Sequence, residues 1–498
     1  MKMNSSIKVV YLPPPCANGD LHFGHIAGVY LPADIFSRVI ERLYPNARVI
    51  SIAGSDENNT YALKKSFLNN LSLTDSIDFY TNRIHKSLGF LNIRIDQFIR
   101  TSSEIHSNIS NAILEKIKES NKVTLNNSYQ LYSEKENSYV SDSLAIGECY
   151  KCGKQTDAGT CENCGELIQH PKLINPKHYK LEEKLILKPS QSYSINFKNQ
   201  SNKLEKIINK QNWSKRIKSL SIQWLRSNQI SNLEITKIFK FGLKIKNTSV
   251  SDLSIPLWFE AVWAYYTGIF VSLRLNSIDL FFHTIRKAKI DLYFFMGQDN
   301  RFHFTISDIL VRNLLRLKKV RSTVNIQPFF TIGKEKFSTS RDRAIFIGEV
   351  ESYLDPSFLR FCLYHFYCSK KTDFNLNVYF EAIKALKNID DFITNFKVIE
   401  NSQKFNSENF SKLRYIKILR EDIKLNNNKT LIKILNKIQK RFLDSKVDLE
   451  KINLSFQFIY ILQFVIPDSN QILNLKNLLP SLRDSVNFVK LFNRKIYK

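Results

Sequence analysis

No stretch of this 498-residue chain approaches the roughly 20 consecutive apolar residues that a bilayer-spanning helix needs, so a membrane-embedded protein is not expected. The opening residues, MKMNSSIKVVYLPPP, lack the long apolar core and small-residue cleavage site of a secretion signal. A soluble, cytoplasmic protein is the expectation. Acidic residues are scarce beside basic ones, 46 Asp and Glu against 73 Lys and Arg, which leaves a net charge of +27. Such an excess suits a polyanionic partner, because Lys and Arg neutralise phosphates and release counterions. It also suits a chain drawn toward Asn, Ile and Lys by an AT-rich genome, and charge alone leaves both readings open. Cysteines are too few and too uneven for a disulfide framework. Of seven, Cys149, Cys152, Cys161 and Cys164 cluster, while Cys16, Cys362 and Cys368 lie apart. No internal repeat is evident, and Asn426 to Asn428 is the sole low-complexity tract.

What is present is the material of a globular protein. Hydrophobic residues make up 43% and charged residues 24%, enough for a sizeable core. The length exceeds one ordinary domain and allows about two to four. Residues 7–12 read as a short buried strand, followed by a turn-rich stretch from Pro13 to Asp20 and a helix starting near Leu21. Residues 47–53 read as a second strand ending at Gly54. Strand, loop, helix and strand make a βαβ unit and hence a parallel sheet. In such sheets ligands bind beyond the carboxyl ends of the strands. From about 120 to 212 the pattern breaks into turns and short strand-like pieces, as an insertion with its own fold would. Strand and helix signals then return at 255–259, 263–273 and 292–297. From about 378 the chain reads as helices, with Leu431-Ile-Lys-Ile-Leu-Asn-Lys-Ile following a 3.6 period. Residues 401–498 hold 19 Lys and Arg against 8 Asp and Glu, so the basic excess is heavy in this tail.

Three motifs carry chemistry. In Pro13-Pro-Pro-Cys-Ala-Asn-Gly-Asp-Leu-His22-Phe-Gly24-His25, two histidines three apart at a helix start share one face. The helix N-terminus adds N–H groups and partial positive charge, and Gly24 lets a flat base approach the backbone. The set suits a nucleotide triphosphate, with imidazole donors for charge developing on the α-phosphate. Histidines that merely cap or pack are the plainer reading. The second motif, Gly333-Lys-Glu-Lys336-Phe-Ser338-Thr-Ser-Arg341, is a basic, hydroxyl-rich loop in which Lys336 would hold pyrophosphate oxygens; such a loop on its own is more often solvated surface. The third is two CxxC knuckles eight residues apart, Cys149/Cys152 and Cys161/Cys164. They put four thiolates in tetrahedral reach of one structural Zn²⁺, against a redox CxxC pair as the alternative.

The first motif resembles the HIGH signature of class I aminoacyl-tRNA synthetases, closest to the methionyl, leucyl, isoleucyl and valyl group, and the second resembles the KMSKS loop. The knuckles, with Leu131-Tyr-Ser-Glu-Lys135 and Ser141-Asp142 before them, are similar to the methionyl enzyme's connective insertion. The resemblance covers roughly residues 7–385 and implies further roles. Asp56, in Gly54-Ser-Asp-Glu57, would receive the substrate α-ammonium. Trp258, in Trp-Phe-Glu-Ala261, and Tyr265 would line the amino-acid pocket with Cys16 and Lys237. In Gly297-Gln-Asp299-Asn300, Asp299 would hold the ribose, with Gly297 and Ser338 also at ATP. His22, His25 and Lys336 would be catalytic. The expected fold is α/β, a doubly wound parallel Rossmann-type sheet with a zinc-binding insertion and a C-terminal helical bundle. Its parts are 1–118 and 213–330 for the two catalytic halves, 119–212 for the insertion, 331–385 for the loop and linker, and 386–498 for an anticodon-binding-like bundle. ATP, Mg²⁺ and Zn²⁺ are the expected cofactors, tRNA and an amino acid the partners, and a monomer the expected state. The sequence also departs from the methionyl pattern. Thr339 replaces the loop's second lysine, and Cys16, Leu233, Thr236-Lys237 and His303-Phe304 alter the side-chain pocket. These departures leave open a paralogue that activates another amino acid for a biosynthetic pathway, and a non-catalytic tRNA-binding relative.

Overall fold

The computed structural model of the chain describes residues 6–159, 161, 164, 166–168, 170–227, 232–337, 343–368, 372–394, 462, 465–467 and 475–496. The chain divides into two units, one of residues 1–18, 50–82 and 95–326, the other of residues 19–49, 83–94 and 327–498.

A five-stranded sheet organises the first unit. Its strands are β1 (Ile7–Tyr11), β2 (Arg48–Ser55), β3 (Gln97–Arg100), β4 (Ile290–Gly297) and β5 (Val320–Gln327), in the spatial order β5-β4-β1-β2-β3. That is the doubly wound order in which the sequence of strands reverses beside the first strand, here between β1 and β4. β1 lies parallel to β4 from Ile7↔Ile290 to Tyr11↔Phe294, and β2 lies parallel to β3 from Ile52↔Gln97 to Ser55↔Arg100. Every residue of β1 is buried, as a central strand covered on both faces requires. Gly54 has a steric reason: a Cβ there would sit 2.1 Å from the Ile99 carbonyl oxygen of the neighbouring strand. The second strand thus runs to Ser55, beyond the Gly54 stop read from sequence.

After β3 and the helix Glu104–Lys118 the chain leaves the sheet. It builds an antiparallel sheet from Val123–Ser133, Ser138–Tyr139, Ile186–Asn196 and Asn232–Glu234, and a three-stranded one from Asp142–Cys149, Gln155–Ala158 and Leu173–His178. It returns through the helices Ala264–Ser272 and Ile278–Lys287 to β4.

In the second unit, Phe23–His25 is one helical turn capped by His22, followed by a wider turn at Ile26–Tyr30 and the helix Leu31–Leu43. The helix therefore begins two residues after Leu21, because His22 is spent on the cap. Buried Asp34 binds Arg38 four residues on (2.9 Å) and Arg360 (2.5 Å), whose guanidinium also donates to the Leu91 carbonyl. Such a pair persists only because each charge is fully hydrogen-bonded. Phe23 packs on Phe374 and Phe488, and Tyr379 stacks on Phe488 at 4.3 Å. Helices Leu376–Thr394 and Leu482–Ile496 agree with a helical tail, while most of 386–498, including the periodic run at Leu431, lies outside the described residues. Among the described residues, no helix is long and apolar enough to cross a membrane.

Candidate functional site

In the second unit the two motif histidines are locked to each other. His22 is the N-cap residue, and its Nδ1 accepts the His25 backbone N–H at 3.2 Å; His25 Nδ1 in turn accepts the His22 N–H at 3.4 Å. This is a capping box built from imidazoles. Because both Nδ1 atoms accept, a neutral ring must carry its proton on Nε2, so each histidine is a fixed Nε2–H donor. The rings stack with centroids 3.6 Å apart. Burial holds the His22 pKa well below the usual range, helped by His25 and by the charge of Lys336, and burial and Lys336 lower His25 to about 4. Both are therefore neutral donors near pH 7. Phe337 continues the stack on His22 at 5.3 Å, and the space beside the Gly24 α-carbon is filled by these two rings.

Lys336 stands on the far arm of a tight hairpin in which Thr331 pairs with Lys336 and Ile332 with Glu335. The two turn residues, Gly333 and Lys334, have φ of +59° and +66°, the left-handed pair that a twisted two-residue hairpin demands. Lys334 adopts this without being glycine, and Asp373 pins it by accepting the Lys334 N–H and the Thr331 hydroxyl, both at 2.7 Å. Lys336 Nζ lies 3.9 Å from the Phe329 ring centre. Ser338, Thr339, Ser340 and Arg341 lie outside the described residues.

Asp20, to which the sequence reading assigned nothing, is the hub of this unit. Its carboxylate accepts the Leu21 N–H (2.6 Å), the Ser87 hydroxyl (2.5 Å), Arg83 Nε (2.9 Å) and the Gly348 N–H (2.8 Å). Three of these partners are more than 60 residues away, so no local pattern could have announced the cluster.

In the first unit the loop after β1 is strapped to the end of β2. Asp56 N–H donates to Pro15 O (2.8 Å) and Ala17 N–H to Asp56 O (3.0 Å), bringing Cys16 alongside Asp56. The Asp56 carboxylate accepts Asn59 Nδ2 at 2.9 Å. Burial, then the nearby Glu260, Glu57 and Asp142 charges, push its pKa well above the ordinary carboxylate range, and the Cys16 thiol is raised by burial and by Asp56. A cation at Asp56 would relieve that repulsion. Tyr265 is buried and donates to Asp308 Oδ1 at 2.7 Å, while Asp308 also binds Arg312 (2.8 Å). Lys237, also buried, donates to Ser141 Oγ at 2.9 Å and pairs with Asp142 beside a cavity of about 40 Å³. Glu234 and His170 line the same cavity; burial lifts Glu234 to about 7 and lowers His170 to about 4. Trp258 falls in the short helix Leu257–Glu260, and its side chain is outside the described residues. After β4, Asp299 folds back over Gly297, where a Cβ would meet Asp299 Oδ1 at 2.6 Å.

The four clustered thiols lie within 4.8 Å of one another, with Cys149–Cys164 and Cys152–Cys161 both at 3.7 Å. A tetrahedral ion with bonds of about 2.3 Å sets its sulfurs about 3.8 Å apart, so the cage already has zinc's dimensions. Gly153, at φ +67°, turns the first knuckle so that its N–H reaches Cys149 O at 2.8 Å. No disulfide joins these sulfurs.

Residues 8–397 match the family model described as tRNA synthetases class I (M). The chain is 29% identical over 373 residues to a methionine--tRNA ligase of Chloroherpeton thalassium, covering 72% of this chain and 53% of that protein. It is 27% identical to those of Cytophaga hutchinsonii and Pyrococcus horikoshii, covering 67% and 70% of this chain and 50% of each relative. The chain thus spans about half the length of these relatives. A crystal structure of Mycobacterium tuberculosis methionyl-tRNA synthetase bound by methionyl-adenylate superposes with a TM-score of 0.63 at 13% identity, over 95% of this chain and 94% of that one, a likeness of fold.

Proposed function

The chain belongs to the class I (M) family of tRNA synthetases, and on that premise we propose that it activates an amino acid, methionine, as the aminoacyl-adenylate and passes it to tRNA. The observation that carries this reading is the reciprocal cap of His22 and His25, which fixes two neutral Nε2–H donors side by side. In the first step the substrate carboxylate attacks the α-phosphate of ATP in line and pyrophosphate leaves. There is little covalent chemistry for side chains to do, so catalysis is positioning and charge stabilisation. His22 and His25 donate to phosphate oxygens as charge builds. Donors already oriented cost no reorganisation at that moment. Lys336 holds the departing pyrophosphate, and Ser338, two residues on in the sequence, contributes its hydroxyl. Asp299 takes the ribose hydroxyls, and Gly297 and Gly24 serve the nucleotide site by leaving room for Asp299 and for the His22 and Phe337 rings. Asp56 takes the ammonium, and Cys16, Trp258, Tyr265 and Lys237 define the side-chain pocket. In the second step the 3′-terminal ribose hydroxyl of tRNA attacks the adenylate carbonyl and AMP leaves. Mg²⁺ accompanies ATP. Zinc on Cys149, Cys152, Cys161 and Cys164 is structural, since four thiolates leave no open position. The basic 386–498 segment binds tRNA through phosphates, and the enzyme works as a cytoplasmic monomer.

Pyrophosphate exchange with methionine tests the proposal. Methionine-dependent exchange is the expected result. Exchange with a different amino acid would favour a specialised paralogue, as the Cys16, Leu233 and His303 departures allow. No exchange with any amino acid, and none after Thr339→Lys, would leave the non-catalytic tRNA-binding reading.

A further inference from the structure

Glu260 closes the short helix Leu257–Glu260 and is 1% exposed. Its two oxygens are treated differently. Oε1 accepts Asn58 Nδ2 at 2.7 Å and lies 3.3 Å from His106 Nε2, whose other ring nitrogen is 2.8 Å from the Thr267 hydroxyl. Oε2 is buried and has no hydrogen-bond partner. An orphaned carboxylate oxygen in the interior is expensive, and a protein that needed only the Oε1 contacts would be served as well by a glutamine. The neighbouring Glu57 shows what a purely structural carboxylate looks like in this unit. It accepts Ser55 and Thr81 hydroxyls (2.5 and 2.8 Å), Arg100 Nε (2.8 Å) and the Ser102 hydroxyl, so both of its oxygens are satisfied.

Asn58 ties Glu260 to the loop that carries Asp56 two residues earlier, and it donates to Thr101 O (3.0 Å) as well. After burial, the Glu260 charge is the largest influence raising the Asp56 carboxyl. Two carboxylates that repel each other in a desolvated place call for a cation between them. Two side chains are too few for a hard metal ion, which collects six or more oxygens. An ammonium, with three donors and one charge, suits one oxygen from each.

We infer that Glu260 is a second binding residue for the substrate α-ammonium, its Oε2 and the Asp56 carboxylate sharing the three N–H donors. This rests on the amino-acid-activating reading above. The paired carboxylates read the ammonium as a cation, and because the Asp56 carboxyl is held above the ordinary carboxylate range, binding weakens as falling pH protonates Asp56.

The test compares the full-length unmodified protein with Glu260→Gln and Glu260→Asp, using L-methionine as the probe. Calorimetry gives its affinity from pH 5.5 to 8.5, and pyrophosphate exchange gives KM for methionine and for ATP. Glutamine preserves the shape and the Asn58 contact while removing the charge. Losing one charged hydrogen bond to a ligand is expected to weaken methionine binding about tenfold or more, with KM for ATP nearly unchanged. The weakening at low pH should also move to lower pH in Glu260→Gln, because Asp56 then ionises without the largest of its charged neighbours, Glu57 and Asp142 remaining. Glu260→Asp should recover part of the affinity. Unchanged methionine affinity and an unmoved pH profile in Glu260→Gln would overturn the inference and leave the activation reading standing. So would equal losses for methionine and ATP alongside a lowered melting temperature, the signature of a purely structural residue. If methionine fails to bind the unmodified protein, methionine activation falls and this inference falls with it.

Discussion

Replacing Asp20 by alanine should cost more than any single contact in its neighbourhood suggests. The substitution strands the Leu21 and Gly348 N–H groups, the Ser87 hydroxyl and one face of Arg83, in a place where the Asp20 side chain is 11% exposed. Each of these bonds is to the charged carboxylate and contributes about 1.5–3 kcal/mol, toward the lower end where water still reaches the group. Arg83 keeps Glu351 as a second partner at 3.1 Å, so its charge is not left alone. The three bonds from neutral donors, at about 1.5 kcal/mol each, should therefore make the loss about 4–5 kcal/mol. Ser87→Ala, which removes one of the same bonds, should cost about 1.5 kcal/mol. Urea unfolding followed by far-UV circular dichroism measures both. Native-state amide exchange at Leu21 and Gly348 locates the effect, since those amides lose their acceptor. A cost below about 1 kcal/mol for Asp20→Ala, or one no greater than that of Ser87→Ala, would refute the hub. So would unchanged exchange at both amides.

Purified protein should carry one zinc per chain, and Cys161→Ala should lose it; full occupancy in that variant, by metal analysis, would contradict the four-thiolate cage. His25→Ala should lower the maximal rate of pyrophosphate exchange about a hundredfold with a smaller change in apparent ATP affinity, and a rate within a few fold of normal would remove the donor role. Burial holds His25 near pKa 4 in the fold against 6.5 when exposed, so unfolding takes up a proton between those values. Stability should consequently fall as pH drops from about 6.5 toward 4, and His25→Gln should flatten part of that decline in urea titrations.

The features legible in the sequence are those whose parts lie close together along the chain. The four cysteines span 16 residues, and their spacing alone sets out a cage that the folded sulfurs occupy at 3.7 Å. The apolar run from Ile7 to Tyr11 announces a buried strand for the same reason. Asp20, Glu260 and the Asp34–Arg360 pair were invisible as sites because their partners are 60 to 330 residues away, and a lone acidic residue in a sequence says nothing about who will face it. The capping role of His22 was hidden differently. Histidine is an uncommon N-cap, so the sequence points only to a helix start near Leu21, one residue before the extended His22 that caps it. Tyr265, read as a pocket residue by resemblance, is bonded to Asp308 through its hydroxyl, a partner 43 residues on.

The position of β1 has a consequence for how the protein is made. This strand sits in the middle of the sheet, yet one of its two neighbours, β4, is encoded 283 residues later. A ribosome adding about 5–20 residues per second needs roughly 15–60 s to reach it. During that interval the run Ile-Lys-Val-Val-Tyr can pair with β2 on one edge, while the other edge stays open and apolar outside the exit tunnel. The insertion lengthens the wait, because the chain must emit the whole zinc-knuckle segment before β4 appears. Nascent chains of this protein should therefore lean on chaperones that shield an unpaired strand, and a pause placed before residue 290 would prolong the exposure, whereas one placed after 297 would let the sheet close first.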